Sequence, residues 1–156
     1  MNDIPTRFKF RAWNNASKQM FLSEEFTEAL MSAWNCGSAA GETIENQYDH
    51  LEWMQWTGKV DESGRDIYEG DIFRITLEDD EGDEVIYYIV TWLKEWAMFA
   101  TLDAGEYVNY MDNGIKALDR VDYWTFTIED VSEYSIIGNI KEHPHKIKGH
   151  VYFENL

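Results

Sequence analysis

The chain has 156 residues, 44% of them hydrophobic and 15% aromatic, including seven Trp. That is enough apolar bulk for one packed domain with at most a small extension, and it excludes wholesale disorder. The net charge of −17 sits in the middle of the chain, since residues 1–22 carry Arg7, Lys9, Arg11 and Lys18 against Asp3 alone; a body this acidic repels nucleic-acid backbones and anionic membranes.

In chain order, Arg7 to Trp13 alternates. Phe8, Phe10 and Ala12 fall on one face of a strand, and Arg7, Lys9, Arg11 and Trp13 on the other, which predicts a basic outer face. Asn14, Asn15 and Ser17 supply turn chemistry. Residues 19–22 then return as a second strand, making 6–22 a hairpin. Ser23 is an N-cap with acidic residues following it, and Phe26, Ala29, Leu30, Ala33 and Trp34 recur at helical spacing, predicting a short helix. Residues 35–47 are small, polar and without period, and read as a flexible connection.

The segment 48–156 reads as a mainly β body, set apart from a unit of hairpin, helix and connection at 1–47. Leu51, Trp53 and Gln55 alternate with Met54 and Trp56, so this strand carries bulk on both faces. A polar loop (59–66) leads into a strand at 67–78. Residues 78–84, EDDEGDE, form a hairpin turn with Gly82 near its tip. Residues 85–92 are rich in β-branched and aromatic side chains and predict the next strand, and 96–102 predict another. Between 103 and 125 the pattern weakens, and no element is assigned. Residues 133–140 predict a strand in which Gly138 marks a bulge or tight bend. Residues 142–149 turn around Pro144, and 150–156 read as a last strand or tail. The expected fold is α+β: an N-terminal hairpin and short helix, then a mainly antiparallel β sheet or half-open SH3-like barrel.

Gly70 and Asp71 stand at the entry to the 67–78 strand. Glycine there permits a positive φ or a close backbone approach. An adjacent Asp can accept backbone N–H bonds and hold the turn that sets the strand's register. Polar loop, Gly-Asp and alternating apolar strand is a pattern of SH3-like barrels. The reading for both residues is structural, as it is for Gly138.

Four blocks together resemble the YopX family of bacteriophage and prophage proteins. They are KFRAWNNASKQM (9–20), MQWTGKVDESGRDIYEGDI (54–72), VTW (90–92) and YSIIGNIKEHP (134–144). They occur in the family's order and span most of the chain. The resemblance implies a phage-derived cytoplasmic protein of unestablished activity that associates with itself. It implies no catalytic residues.

Candidate chemistry is sparse. The carboxylates of 78–84 are contiguous, so alternate ones point apart, and no later Glu completes a calcium loop; a solvated hairpin tip fits better. Residues 61–66 are a shorter echo of the same run. His143, His145 and His150 lie close in sequence but lack a second ligand cluster at zinc-like spacing, and Pro144 favours a turn. Cys36 has only His50 near it as a base and no flanking motif; as the single cysteine it allows no intrachain disulfide. No phosphate loop or nucleophile elbow is present. The sequence therefore predicts no enzyme activity, no cofactor and no metal. No stretch approaches the ~18 apolar residues of a membrane span, and residues 1–10 lack an apolar signal core; with one cysteine, a reducing cytoplasm is the expected compartment.

Most aromatics are expected in the core, with some at a subunit interface. Arg7, Lys9, Arg11 and Trp13 are the candidate interface, facing the acidic body of a second copy in a head-to-tail assembly. The alternative is an acidic decoy that mimics nucleic acid and binds a host DNA- or RNA-handling protein.

Overall fold

The computed structural model describes residues 9–25, 50–80, 82–118 and 127–147. Two compact units are formed, Met1–Trp56 and Thr57–Leu156, and the division falls inside a strand. The first half of that strand thus belongs with the N-terminal hairpin.

In the first unit, β1 (Phe10–Asn14) pairs antiparallel with both β2 (Gln19–Leu22) and the first half of β3 (Leu51–Val60). The β1–β2 turn closes because the Asn14 side-chain oxygen accepts from the N–H groups of Ala16 (2.8 Å) and Ser17 (3.0 Å), a short polar side chain mimicking a backbone turn. One face of this unit carries Arg11, Trp13 and Met54, all buried. On the other, Phe10 meets Trp53 edge-to-face, with ring centroids 5.1 Å apart. Two expectations change here. The bulk on both faces of the strand at 51–56 is buried on one side only, since Met54 is buried while Trp53 is 46% exposed. The alternation of β1 does not make a basic outer face, since Arg11 is only 8% exposed. Residues 23–25 are helical; the rest of the expected helix, the 35–47 connection and the 150–156 strand or tail lie outside the described residues.

The second unit is built on an antiparallel sheet of order β7-β6-β5-β8. Its strands are β5 (Asp71–Asp79), β6 (Gly82–Leu93), β7 (Met98–Asp103) and β8 (Ile136–Asn139). β5 and β6 are in register from Ile72↔Ile89 to Asp79↔Gly82, closing the hairpin expected at 78–84. Both faces of the sheet are covered. Phe73, Ile75, Tyr88 and Val90 pack with Ile67 of the short β4 (Asp66–Tyr68) and with Val131. On the opposite face Ile72 and Ile89 pack with Ala104 and Ile147, and Leu93, Ala100 and Leu102 with Tyr110 and Leu118. Burial on two sides explains why β6 reads as an almost continuous apolar run where an alternating one would be expected of a half-solvated strand. Each fully buried Ile or Phe in this sheet contributes about 1.5–3 kcal/mol.

The helices that cover the sheet fall where no element was assigned or expected. α1 (Ala104–Asn113) starts at Asp103, whose carboxylate accepts from the Glu106 N–H (2.8 Å) while the Glu106 carboxylate accepts from the Asp103 N–H (3.1 Å). Two otherwise orphan donors are satisfied by this reciprocal box. α1 ends at Gly114, φ +70°, and a 3₁₀ turn, Gly114–Leu118, brings Leu118 into the core. The four-residue α2 (Ile128–Val131) repeats the device with Thr127 and Asp130.

β8 departs from ideal pairing. Ile72 faces Gly138 and Phe73 faces Ile136, so Ile137 is an extra residue, a bulge beside Gly138. At Gly138, φ is +155°, and a Cβ there would lie 2.5 Å from His143 Nδ1. A Gly138→Ala variant is predicted to lose about 1–3 kcal/mol, read as a lower urea midpoint at unchanged m-value.

Candidate functional site

Asp61, directly after β3, gathers several hydrogen bonds in the second unit. Its residue exposure is 3%. One carboxylate oxygen accepts from the N–H groups of Ser63 and Arg65, both at 2.9 Å. The other accepts from Arg65 Nε at 2.9 Å and from the Ile136 N–H at 3.0 Å. The Asp61 N–H donates to the Arg65 carbonyl (2.8 Å), closing the loop on itself, and Arg65 Nη2 donates to the Ile136 carbonyl (2.6 Å). Burial opposes ionisation of Asp61, but hydrogen bonds from Ile136, Arg65 and Ser63 outweigh it and hold the carboxyl below its ordinary range. Glu62, Ser63 and Ser135 extend the network through Ser135 Oγ, which donates to the Glu62 carboxylate. The segment read as a weak acidic echo is thus the clasp that binds the 61–65 loop to the start of β8.

The second polar centre is Gly70–Asp71. Gly70 has φ +84°. Its N–H donates to the Val90 carbonyl (2.8 Å), and its own carbonyl accepts from the Ile140 N–H (2.9 Å). The Asp71 side chain, 1% exposed, accepts from the Tyr68 N–H at 2.8 Å. The third centre is Asn139, whose side-chain oxygen accepts from the N–H groups of Lys141 (3.0 Å) and Glu142 (2.9 Å) and so caps the turn after β8. Each of these three buried side chains accepts from backbone N–H groups, and Asp61 adds the Arg65 guanidinium.

The other predicted site residues are placed as follows. Lys9 is half-buried with its ammonium 4.8 Å from the Trp56 ring centroid, a cation–π contact. Arg11 and Trp13 are buried, so neither is presented for docking as the basic face required. Arg7, Cys36 and His150 lie outside the described residues. His143 and His145 are 6.0 Å apart, ring to ring, and among the described residues no group of three or more His, Cys, Asp or Glu is arranged to hold a metal ion. The Asp103–Glu106 carboxylates face Tyr88 at the mouth of α1. Burial, then the Asp103 charge, raise Glu106, while burial and the nearby carboxylates raise Tyr88; both carboxylates are engaged in the helix cap.

Surface apolar groups form the remaining candidate feature. Trp96 (55% exposed) sits on the β6–β7 connection, Met98 (47%) is the first residue of β7, and Met111 (62%) lies on the outer side of α1. Trp53 plays this part in the first unit. The sequence names Arg7, Lys9, Arg11 and Trp13, with some further aromatics, for an interface, and does not single out these positions. The signal available was Trp96, an aromatic in a four-residue turn (94–97) where no core side chain is needed. Asp61 was also missed, although Asp-x-Ser-Gly-Arg is a spacing that lets one carboxylate fold back on its own loop.

An α+β chain of mainly antiparallel β sheet, in which the buried Asp61, Asp71 and Asn139 hold turns, defines the class of the protein. A family model described as YopX protein matches residues 9–148, and the chain belongs to the YopX family. The crystal structure of protein EF1440 from Enterococcus faecalis is similar, with a TM-score of 0.52 and 16% identity, covering 90% of this chain and 97% of that one; that likeness shows the fold. No curated protein matches the chain. Among the described residues no helix is long and apolar enough to cross a membrane.

The Asp61 clasp carries a prediction with a sign. A carboxyl held below its ordinary range contributes stability that is present above the unfolded value, about 3.9, and is lost as pH falls through the folded one. Asp61→Ala is expected to cost about 2–3 kcal/mol at neutral pH, because it strands the donors of Ser63, Arg65 and Ile136. In urea titrations from pH 6 down to pH 2, Asp61→Asn is expected to lose stability less steeply below pH 4 than the parent.

Proposed function

We propose that this YopX protein is a non-catalytic accessory protein of phage or prophage origin that acts in the bacterial cytoplasm by binding protein, with a second copy of itself as its first partner. The observation that carries this reading is the exposure of Trp96, Met98 and Met111 in the second unit. Tryptophan and methionine are enriched at interface centres, tryptophan because it buries large area at modest entropic cost and methionine because its thioether adapts to irregular surfaces. The buried Asp61, Asp71 and Asn139 support it as well, since each accepts from backbone N–H groups that hold a turn. The basic face of β1 no longer contributes, Arg11 being inside.

A second reading has its own observation. Glu78, Asp80, Asp83 and Glu84 are all exposed on the β5–β6 hairpin, and Glu78 lies directly opposite Asp83. Like charges directly opposite destabilise a ladder, and a basic partner surface would relieve the repulsion. This supports the acidic decoy of a nucleic-acid-handling protein.

Light scattering coupled to size exclusion tests the first reading. The parent chain is expected at a multiple of the single-chain mass, and Trp96→Asp with Met98→Asp is expected to shift it to one chain while circular dichroism stays unchanged. A parent that elutes as one chain at every concentration contradicts self-association. Capture of a DNA- or RNA-handling host protein, lost in Glu78→Lys with Asp83→Lys and released by moderate salt, would favour the decoy instead.

A further inference from the structure

The β6–β7 turn, Lys94 to Ala97, is strained and braced from outside. Leu93 pairs with Met98 across it, and the Trp96 N–H donates to the Leu93 carbonyl at 3.2 Å. Ala97 has φ +50°, in the left-handed region that a Cβ disfavours. Lys18 takes the same conformation in the β1–β2 turn, with φ +56°, and there Asn14 closes the turn from within. The β6–β7 turn is tied instead to a helix. Tyr110 of α1, 6% exposed, donates its hydroxyl to the Glu95 carboxylate at 2.8 Å. The other Glu95 oxygen lies at the end of the same helix, 3.8 Å from where a Cβ on Gly114 would stand. The Tyr110 bond holds the Glu95 carboxyl below its ordinary range, while burial and that bond raise the Tyr110 hydroxyl. One therefore stays acceptor and the other donor across the neutral range.

The strands below the turn are fixed as well. Trp92 and Phe99, the next pair in the ladder, meet edge-to-face with centroids 4.9 Å apart, a cross-strand contact that stiffens the end of the hairpin. Leu93 and Met98, directly opposite each other, share the other face, and Leu93 packs with Tyr110. Met98 thus lies on the side of the sheet that α1 covers, at the hairpin end that Glu95 ties to the helix. Strained backbone persists only where its surroundings over-determine it, and such outliers gather at functional positions. Here the constraints converge on residues 94–97, all exposed. The residue between the braced Glu95 and the strained Ala97 is Trp96. A core requires no such precision of an exposed indole. A docking surface does, because a side chain already held in place loses less entropy on binding.

We propose that Glu95 and Tyr110 are positioning residues that fix the 94–97 turn against α1 and present Trp96 as a preformed anchor for a second copy of the chain. The anchor rests on self-association through Trp96 and Met98; the brace does not. A second copy fits this place by charge. The chain carries −17 overall, yet the exposed ionic groups of the turn and of the C-terminal end of α1 with its 3₁₀ turn are balanced, Lys94 and Lys116 against Glu95 and Asp112. Two copies related by a two-fold axis can meet there without net like-charge repulsion.

Nitrogen-15 relaxation of the full chain carrying Trp96→Ala and Met98→Ala reads the brace with the anchor removed. Backbone order parameters at positions 95 and 97 are expected at about 0.85, and below about 0.6 once Tyr110→Phe or Glu95→Ala is added; unchanged order refutes the brace. Sedimentation equilibrium of chains that keep Trp96 reads the anchor. Tyr110→Phe and Glu95→Ala are expected to weaken self-association by about two- to tenfold. Glu95→Gln, whose amide oxygen still accepts from the hydroxyl, is expected to keep the parent value. Ala97→Gly is expected to raise the urea midpoint, since glycine takes a positive φ without strain, and yet to weaken association, two directions that a purely structural turn does not combine. Equal weakening by Glu95→Gln and Glu95→Ala assigns the effect to charge and refutes the hydrogen bond. Association of Tyr110→Phe as tight as the parent's overturns the anchor and leaves self-association standing. A parent that is one chain at every concentration overturns the anchor together with the self-association it rests on, while the relaxation data still decide the brace.

Discussion

The fold of the second unit depends on one backbone junction, Gly70–Asp71. Three pieces of chain meet there. The Gly70 N–H reaches β6 at Val90, its carbonyl receives the Ile140 N–H from the segment after β8, and the Asp71 side chain takes the Tyr68 N–H from the end of β4. A positive φ at residue 70 lets the chain turn from β4 into β5 without moving either partner. β5 then enters the sheet with Ile72 on one face and Phe73 on the other, both fully buried and each in a different cluster. A slip of one residue here would exchange the two clusters across the sheet. A buried carboxylate is a costly way to hold a turn, and its cost is offset because the donor it accepts from is itself buried.

The Asp61 clasp and the Asn139 cap do the same work at the other two corners of the sheet. Asp61 ties the β3–β4 loop to Ile136, where β8 starts, and Asn139 ends β8 and turns the chain back. β8 is only four residues long; Asp61 from the preceding polar loop holds its start, and its own last residue, Asn139, caps the turn at its end. The family blocks at 54–72 and 134–144 are thus two parts of one structure. They are distant in sequence and adjacent in the sheet, and the residues that carry the resemblance are those that join them.

Local patterns were legible in the sequence and long-range polar ones were not. The β1–β2 hairpin, the β5–β6 hairpin around Gly82 and the strand with Gly138 could be read because alternation and turn residues act within a few positions. α1 was missed because Gly105, Tyr107 and Asn109 blur its period. Its start was nevertheless written in Asp103 and Glu106, at the spacing of a capping box. The burial of Arg11 could not be read from β1, since alternation assigns a side chain to a face without saying what covers that face. Trp53 and Met54 show the same limit in reverse, as two bulky neighbours of which one is covered and the other is not. Asp61 was passed over as one carboxylate among many in an acidic chain. Its partner Ile136 lies 75 positions away, beyond anything that spacing can reveal.

The central claim is that Gly70 and Asp71 serve backbone geometry, and urea unfolding of Gly70→Ala, Asp71→Ala and the exposed hairpin control Asp80→Ala tests it most directly. The account predicts a loss of about 1–2 kcal/mol for Gly70→Ala, from forcing a Cβ into the left-handed region. It predicts about 2–3 kcal/mol for Asp71→Ala, from stranding a buried donor, and a change within about 0.5 kcal/mol for Asp80→Ala. An Asp71→Ala chain as stable as the parent would contradict the account, because the most buried carboxylate at the heart of the sheet would then be kept for something other than the fold.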